Sequence, residues 1–213
     1  MALRQDLSAF GLEDRSYSVD EWLAIEARTG ERFEYHEGQL VHWRMMAGGS
    51  LAHSEIGGNL VYLLGGGVRR RERDDPRALR CGVHASDLRI KIPDTDRYVY
   101  PDAAVVCGPP VPDTRIPTAI RNPVSVAEVL SPSSVQYDTG VKFRYYASLG
   151  SLREYVLVSQ EEPLVEVRSR TRVGGAWDIR FVDALDGAFE LPVLGVSGEM
   201  RELYRGIDFG PAR

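Results

Sequence analysis

The chain has 213 residues, 43% of them hydrophobic and 27% charged, with a formal net charge of −5. That balance belongs to a globular protein with a substantial core; it excludes a chain disordered throughout and disfavours nucleic-acid binding through bulk charge, though a local basic groove is compatible with it. No stretch offers the roughly 18 apolar residues of a spanning helix, nor the shorter apolar run of a signal peptide, so the expectation is a cytoplasmic protein with no membrane partner.

Residues 1–15 read as a flexible tail, and no Ser/Gly/Pro linker divides the rest, so residues 16–213 are taken as one domain. In "SVDEWLAIEARTG", Ser18 caps a helix, Glu21 completes a capping box, Trp22, Leu23 and Ile25 form its apolar side, and Gly30 stops it. "RFEYHEGQLVHWRMM" alternates about Glu37-Gly38 and predicts a hairpin, with Phe33 and Tyr35 on one face and Glu34 and His36 on the other. A second helix is predicted from Ser50 to Leu64, carrying Ile56, Leu60, Leu63 and Leu64, ended by "GGG" and followed by the charge run "RRRER" at 69–73. Such a run can grip phosphates but is more often a solvated face, and "LGGGV" lacks the strand, loop and lysine of a phosphate loop.

"HASDLRIKI" and "RYVYPDAAVVCG" flank the turn-like "PDTD" and predict an antiparallel pair. Cys81 and Cys107 fall in strand-like contexts and read as two reduced, partly buried thiols rather than a disulfide or a zinc site. The proline-rich stretch at 108–123 reads as a surface loop, and "VSVAEVL" as an apolar strand interrupted by Glu128. "SPSS" can cap a helix over "VQYDTGVKFRYYASLG", ending at Gly150, in which Tyr145 and Tyr146 read as packing residues. Three strands follow, "EYVLVSQ", "LVEVRSR" and "AWDIRFV". The economical architecture is α/β, a mixed sheet with helices on its faces.

Asp102 and Glu128 share one peculiarity, an acid embedded in a strand otherwise made for the core. A buried carboxylate is costly unless paired, and two side by side need a cation between them. Mg²⁺ or Mn²⁺ suits that need, being commonly held by one or two carboxylates plus waters, and the Val129 carbonyl can add an oxygen. Lys142, early in the helix after Glu128, can reach the same place, where its ammonium would orient water or neutralise charge at a phosphate. Lys142 also has a plainer reading, a surface pair with Asp138 one helical turn earlier. His36, His42 and His84 form no metal-like spacing with His53 and receive no role.

Taken together, "SVDEWLAIEARTGERFEYHEGQLV", "LAHSEIGGNL", "YPDAAVV", "VAEVLSPSS" and "DTGVKFRYYASLGSLREYVLV" resemble the Uma family of predicted restriction endonucleases, a branch of the PD-(D/E)XK nuclease superfamily, over residues 17–185. The resemblance implies a restriction-endonuclease-like core, with Asp102 as central metal ligand and Glu128 as the second acid. A lysine usually stands two residues after that acid; here the position is Leu130, and the resemblance implies that Lys142 replaces it from the helix. It further implies an early acid at Glu34, a helix-start histidine at His53, and an acid at Asp87 on the strand paired with that of Asp102. The family more often has an acid where this chain has Ser159. The expected activity is metal-dependent hydrolysis of DNA, with a homodimer as a plausible assembly. A non-catalytic DNA-binding or regulatory module of the same fold, and a metal-dependent hydrolase of small phosphoesters, are the alternatives.

Overall fold

The computed structural model describes residues 7–42 and 50–210. The capping box forms as the sequence implies: Ser18 Oγ accepts from the Glu21 amide at 3.2 Å, while Glu21 Oε2 accepts from the Ser18 amide at 2.7 Å. It starts helix α1 (Val19–Thr29), which Gly30 ends in the left-handed region at φ 70°. Trp22, fully buried on α1, donates its indole N–H to the Phe33 carbonyl at 2.8 Å and so ties the helix to strand β1 (Phe33–His36). Strand β2 (Gln39–His42) returns across Glu37 and Gly38, both at positive φ, as a tight two-residue hairpin turn requires. The part of the expected hairpin beyond His42 lies outside the described residues. Where a loose tail was expected through residue 15, Leu7 and Leu12 are buried and Phe10 packs edge-on against Phe33 at 5.3 Å.

Helix α2 (Leu51–Asp74) passes through the glycine triplet that was expected to end it. The reason is that the buried stripe Ile56, Leu60, Leu64 continues with the same four-residue step to Val68. A Cβ on Gly67 would stand 2.3 Å from Val196, so this glycine permits close packing rather than marking an end. Burial of the stripe outweighs the roughly 1 kcal/mol that each glycine costs a helix. The run "RRRER" is therefore helical: Arg71 donates to the Leu194 carbonyl at 2.9 Å and Glu72 accepts from the Cys81 amide at 2.7 Å, while Arg69, Arg70 and Arg73 are exposed.

The long hairpin predicted next is real, but it is shared between two sheets. Near its turn β4 (Arg89–Ile92) pairs with β5 (Arg97–Val99); at its open end β3 (Cys81–Ala85) pairs with β6 (Ala103–Cys107). The strands break at Ser86–Leu88 and at Tyr100–Asp102, and Pro101, which has no amide hydrogen for a ladder, sits in the second break. Cys81 and Cys107 face each other in the β3–β6 register and form a disulfide, which corrects the expectation of two reduced thiols. The proline-rich stretch is more embedded than a surface loop: Ile116 and Ala119 are buried, and β7 (Ala119–Ile120) adds to β4 in parallel.

Strand β8 (Ser125–Leu130) lies between β6, antiparallel, and β9 (Glu154–Ser159), parallel. Between β8 and β9 the expected helix forms with a difference, since Tyr137–Lys142 winds as a π-helix before the short α3 (Phe143–Ala147). Strands β10 (Val165–Ser169) and β11 (Asp178–Val182) complete a meander. The hairpin β12 (Ala188–Leu191) and β13 (Val196–Glu199) and helix α4 (Met200–Leu203) were not foreseen.

The strand orders are β2-β1-β5-β4-β7 in one sheet and β11-β10-β9-β8-β6-β3 in the other. On the six-stranded sheet, α2, α4 and the last hairpin cover Ala127, Val129, Val156 and Val158, while the α3 segment covers Val126, Tyr155 and Leu157 on the opposite face. Helix α1 covers Phe33, Tyr35 and Tyr98 of the five-stranded sheet. Among the described residues no helix is long and apolar enough to cross a membrane.

Candidate active site

The breaks in the long hairpin open a cleft, because the chain leaves one sheet there before entering the other. Asp102 follows Pro101 in that gap, one residue before β6. Both of its carboxylate oxygens are held: Oδ2 accepts from the Val129 amide at 2.7 Å and Oδ1 hydrogen-bonds His53 Nε2 at 3.1 Å. His53 stands in the first turn of α2, where Ser50 Oγ caps its amide at 3.0 Å.

Glu128 comes from the middle of β8. Its neighbours Ala127 and Val129 face α2, so strand alternation turns Glu128 to the α3 side, where Lys142 waits at the end of the π-helix. The Lys142 ammonium lies 2.9 Å from Glu128 Oε1, 3.0 Å from Glu34 Oε1 and 3.8 Å from Asp138 Oδ1, and it donates to the Tyr100 carbonyl at 3.2 Å. None of these four charged side chains is more than 4% exposed. A π-helical stretch is rare and concentrates at functional sites. This one brings Asp138 and Lys142 to the same buried side. The chain contains 24 arginines and only two lysines, Lys91 and Lys142, so the compact ammonium at the centre of the cluster stands against the chain's general preference.

The electrostatics follow from burying more acids than bases. Burial pushes the Glu34 carboxyl up, but Lys142 and then His36 overcome it and hold it down at about 2. Burial dominates for Glu128, whose carboxyl sits well above its ordinary value; Lys142 opposes that rise, and Asp138, Asp102 and Glu34 reinforce it. Asp138 is likewise pushed up to about 6 by burial, against Lys142 and Ser134. Burial works against the Lys142 charge, yet Glu128, Glu34 and Asp138 raise it well above the usual lysine range.

Glu34, His53, Asp102, Glu128 and Lys142, all anticipated from the sequence, therefore belong to one linked group, and Val129 joins it through its amide. Asp87 does not. It was expected on the strand paired with that of Asp102, but it lies in the turn after β3 with its side chain 84% exposed, bridging to Arg32 at 2.7 Å. Its strand ends at Ala85, and the turn carries the side chain outward.

Three participants were missed. Asp138 was read as a surface partner for Lys142, yet it is buried with it. Tyr137 donates to Glu34 Oε2 at 3.0 Å, and His36 Nε2 lies 3.0 Å from the same oxygen. The available signals were the four-residue spacing of Asp138 and Lys142, and the two-residue spacing that puts His36 on the Glu34 face of its strand.

A cavity of about 30 Å³ lies among His53, Tyr100, Asp102, Glu128, Asp138 and Lys142, room for an ion or a water or two. Among the described residues, no three His, Cys, Asp or Glu side chains form a ready cage for a metal. The donor set fits instead a hard cation that takes one or two carboxylates and fills its remaining positions with water or substrate oxygens.

Two mixed sheets that meet at a buried acid and lysine cluster define a fold of the restriction-endonuclease-like class. The crystal structure of "a putative nuclease belonging to DUF820" from Anabaena variabilis shares that fold, with a TM-score of 0.61 and 18% identity over 83% of this chain and 91% of its own. The chain belongs to the Uma2 family, whose model, described as "Putative restriction endonuclease", matches residues 19–200. It is 36% identical to the uncharacterized protein slr1290 of Synechocystis over 90% of this chain and 93% of that protein. It is 31% identical to sll1609 of the same organism over 66% of this chain and 73% of that protein.

Proposed function

We propose that this chain is a Mg²⁺- or Mn²⁺-dependent endonuclease that hydrolyses DNA phosphodiester bonds, with Asp102 and Glu128 as cation ligands. What supports the reading is the Lys142 ammonium lodged 2.9 Å from Glu128 and 3.0 Å from Glu34, beside a cleft that Asp102 also lines. Acids outnumber bases in that cluster, and burial, reinforced by the neighbouring carboxylates, raises both the Glu128 and the Asp138 carboxyl, so a divalent cation would relieve the imbalance. Glu34 and the Val129 carbonyl are further oxygens in the same group. A cation bound there would polarise a phosphoryl oxygen and make water acidic enough to serve as nucleophile.

The chain's own groups do the positioning. The Val129 amide and His53 fix the two Asp102 oxygens, so the carboxylate is oriented before substrate arrives. Lys142 keeps Glu128 and Glu34 from repelling each other and places a permanent positive charge where negative charge develops on a phosphate. His53 Nε2, hydrogen-bonded to Asp102, is placed to hold or pass a proton. Cutting both strands of a duplex needs two such sites, which a homodimer would supply.

The test is nicking of supercoiled plasmid DNA with Mg²⁺ or Mn²⁺. The expected result is nicking that chelation abolishes and that Glu128→Gln and Asp102→Asn each slow by about a hundredfold or more. Equal nicking by wild type and Glu128→Gln refutes the reading. Metal-independent DNA binding without nicking would mark a non-catalytic module, and hydrolysis of nucleotides but not DNA a small-phosphoester hydrolase.

A further inference from the structure

We propose that Arg32 and the turn between β3 and β4 form a phosphodiester-binding subsite at the mouth of the cleft, with Asp87 as a resident anion that an incoming backbone phosphate displaces. The inference rests on the nuclease reading above and adds where the substrate's charge is received.

The argument begins with what Lys142 cannot do. Its ammonium has three protons and already faces Glu128, Glu34, Asp138 and the Tyr100 carbonyl, with its side chain 4% exposed. It can steady charge inside the cluster but is poorly placed to capture a phosphate arriving from solvent. A positive side chain at the entrance would receive that phosphate, and Arg32 lines the same cavity as Asp102 and Glu128 while remaining one-third exposed.

Its guanidinium is already oriented. One terminal nitrogen donates to the Ser86 carbonyl at 2.8 Å and the Ser86 hydroxyl at 3.2 Å, and the other lies 2.7 Å from Asp87 Oδ1. A planar guanidinium fixed in this way presents its donors to a phosphate without first losing rotamer freedom. The Ser86 bonds come largely from the backbone of a turn and persist when Asp87 moves. The Asp87 carboxylate is 84% exposed, so it can swing into water at little cost and leave its place to a phosphate oxygen. The turn is built from the break that divides the long hairpin between the sheets, which explains why an exposed ion pair stands at this position.

The experiment measures binding of a fluorescein-labelled duplex oligonucleotide by anisotropy in Ca²⁺, across salt concentrations, for wild type, Arg32→Ala and Asp87→Ala. Arg32→Ala is expected to weaken binding about tenfold and to lower the slope of log affinity against log salt by about one, the signature of one lost phosphate contact. Asp87→Ala is expected to move the other way and tighten binding severalfold, because the competing anion is gone while Ser86 still holds the guanidinium. Unchanged binding by Arg32→Ala overturns the subsite. Weaker binding by Asp87→Ala also overturns it, since the pair would then only brace the turn. If Arg32→Ala failed to fold, Asp87→Ala alone would decide. Arg32-dependent binding by a wild type that nicks no plasmid would keep the subsite and sink the hydrolytic reading; plasmid nicking indifferent to Arg32→Ala would do the reverse.

Discussion

Replacing Lys142 by methionine removes the ammonium that three acids share, each with a side chain no more than 4% exposed, while roughly keeping the volume of the stem. Breaking a buried pair by deleting one partner costs about 3–5 kcal/mol, because the remaining charge is left in a poor solvent. For Glu34, which Lys142 and then His36 hold down, the shift corresponds to a similar magnitude. Glu34 is held at about 2 against an ordinary 4.5, which at about 1.4 kcal/mol per tenfold change in proton affinity corresponds to about 3 kcal/mol. A carboxyl held down in the folded state contributes stability that is complete above pH 4.5 and is lost as the pH falls toward 2. In Lys142→Met the ammonium no longer opposes burial and the Glu34 carboxyl rises, so the variant recovers stability on acidification toward pH 4.5, a range in which the wild-type Glu34 contribution stays complete. Urea unfolding in metal-free buffer, followed by fluorescence and circular dichroism, is the assay. The expected gap is about 3–5 kcal/mol at pH 7, narrowing steadily toward pH 5. A gap below about 1 kcal/mol at pH 7, or one that does not narrow, refutes the claim that Lys142 neutralises the cluster.

Lys142→Arg should fold better than Lys142→Met, because the charge remains, yet plasmid nicking should fall by about a hundredfold, since a planar fork cannot occupy the point where three carboxylates converge. Glu154, fully buried at the start of β9, accepts from the Val193 amide at 2.7 Å, and burial still pushes it up to about 7. Its folded form favours the proton, so its contribution is complete below pH 4.5 and disappears as pH rises through 7; Glu154→Gln should flatten that part of the stability profile, and an unchanged profile would exclude Glu154 as its source. The Cys81–Cys107 disulfide closes a loop of sequence separation 26, for which loop-closure entropy predicts about 3.5 kcal/mol of stabilisation. Cys81→Ser combined with Cys107→Ser should lower the unfolding free energy by about that amount, and an unchanged urea midpoint would show that the cross-link adds nothing.

Much of the site was legible in sequence because its acids violate the local pattern. Glu128 interrupts an apolar strand and Asp102 stands before another, and a buried acid without a partner is expensive enough to draw attention by itself. Lys142 and Glu34 were legible mainly through resemblance to a family, since a lysine on a helix and a glutamate beside a hairpin turn are locally ordinary. Asp138, Tyr137 and His36 were passed over for that reason. Each is a polar residue whose spacing fits a solvated surface; Asp138 is buried, and Tyr137 and His36 half-buried, because the π-helix and β1 converge on Glu34.

Local rules fixed what depends on neighbours a few residues apart: the Ser18–Glu21 capping box, the Glu37–Gly38 turn, the strand around Glu128. They failed where a distant partner changed the outcome. The glycine triplet signals a stop to any local reading, and only the approach of Val196 and the stripe continuing to Val68 show why α2 runs on. The reduced-thiol expectation for Cys81 and Cys107 fell because their facing register is a property of paired strands. Asp87 was placed on a strand that in fact ends two residues earlier, at Ala85, where the hairpin changes sheets. The sequence determined which residues would be costly to bury without partners. The tertiary structure decided who those partners are, because the long hairpin divides between two sheets and opens, at Pro101 and Asp102, a gap where acids from both sheets can share a lysine.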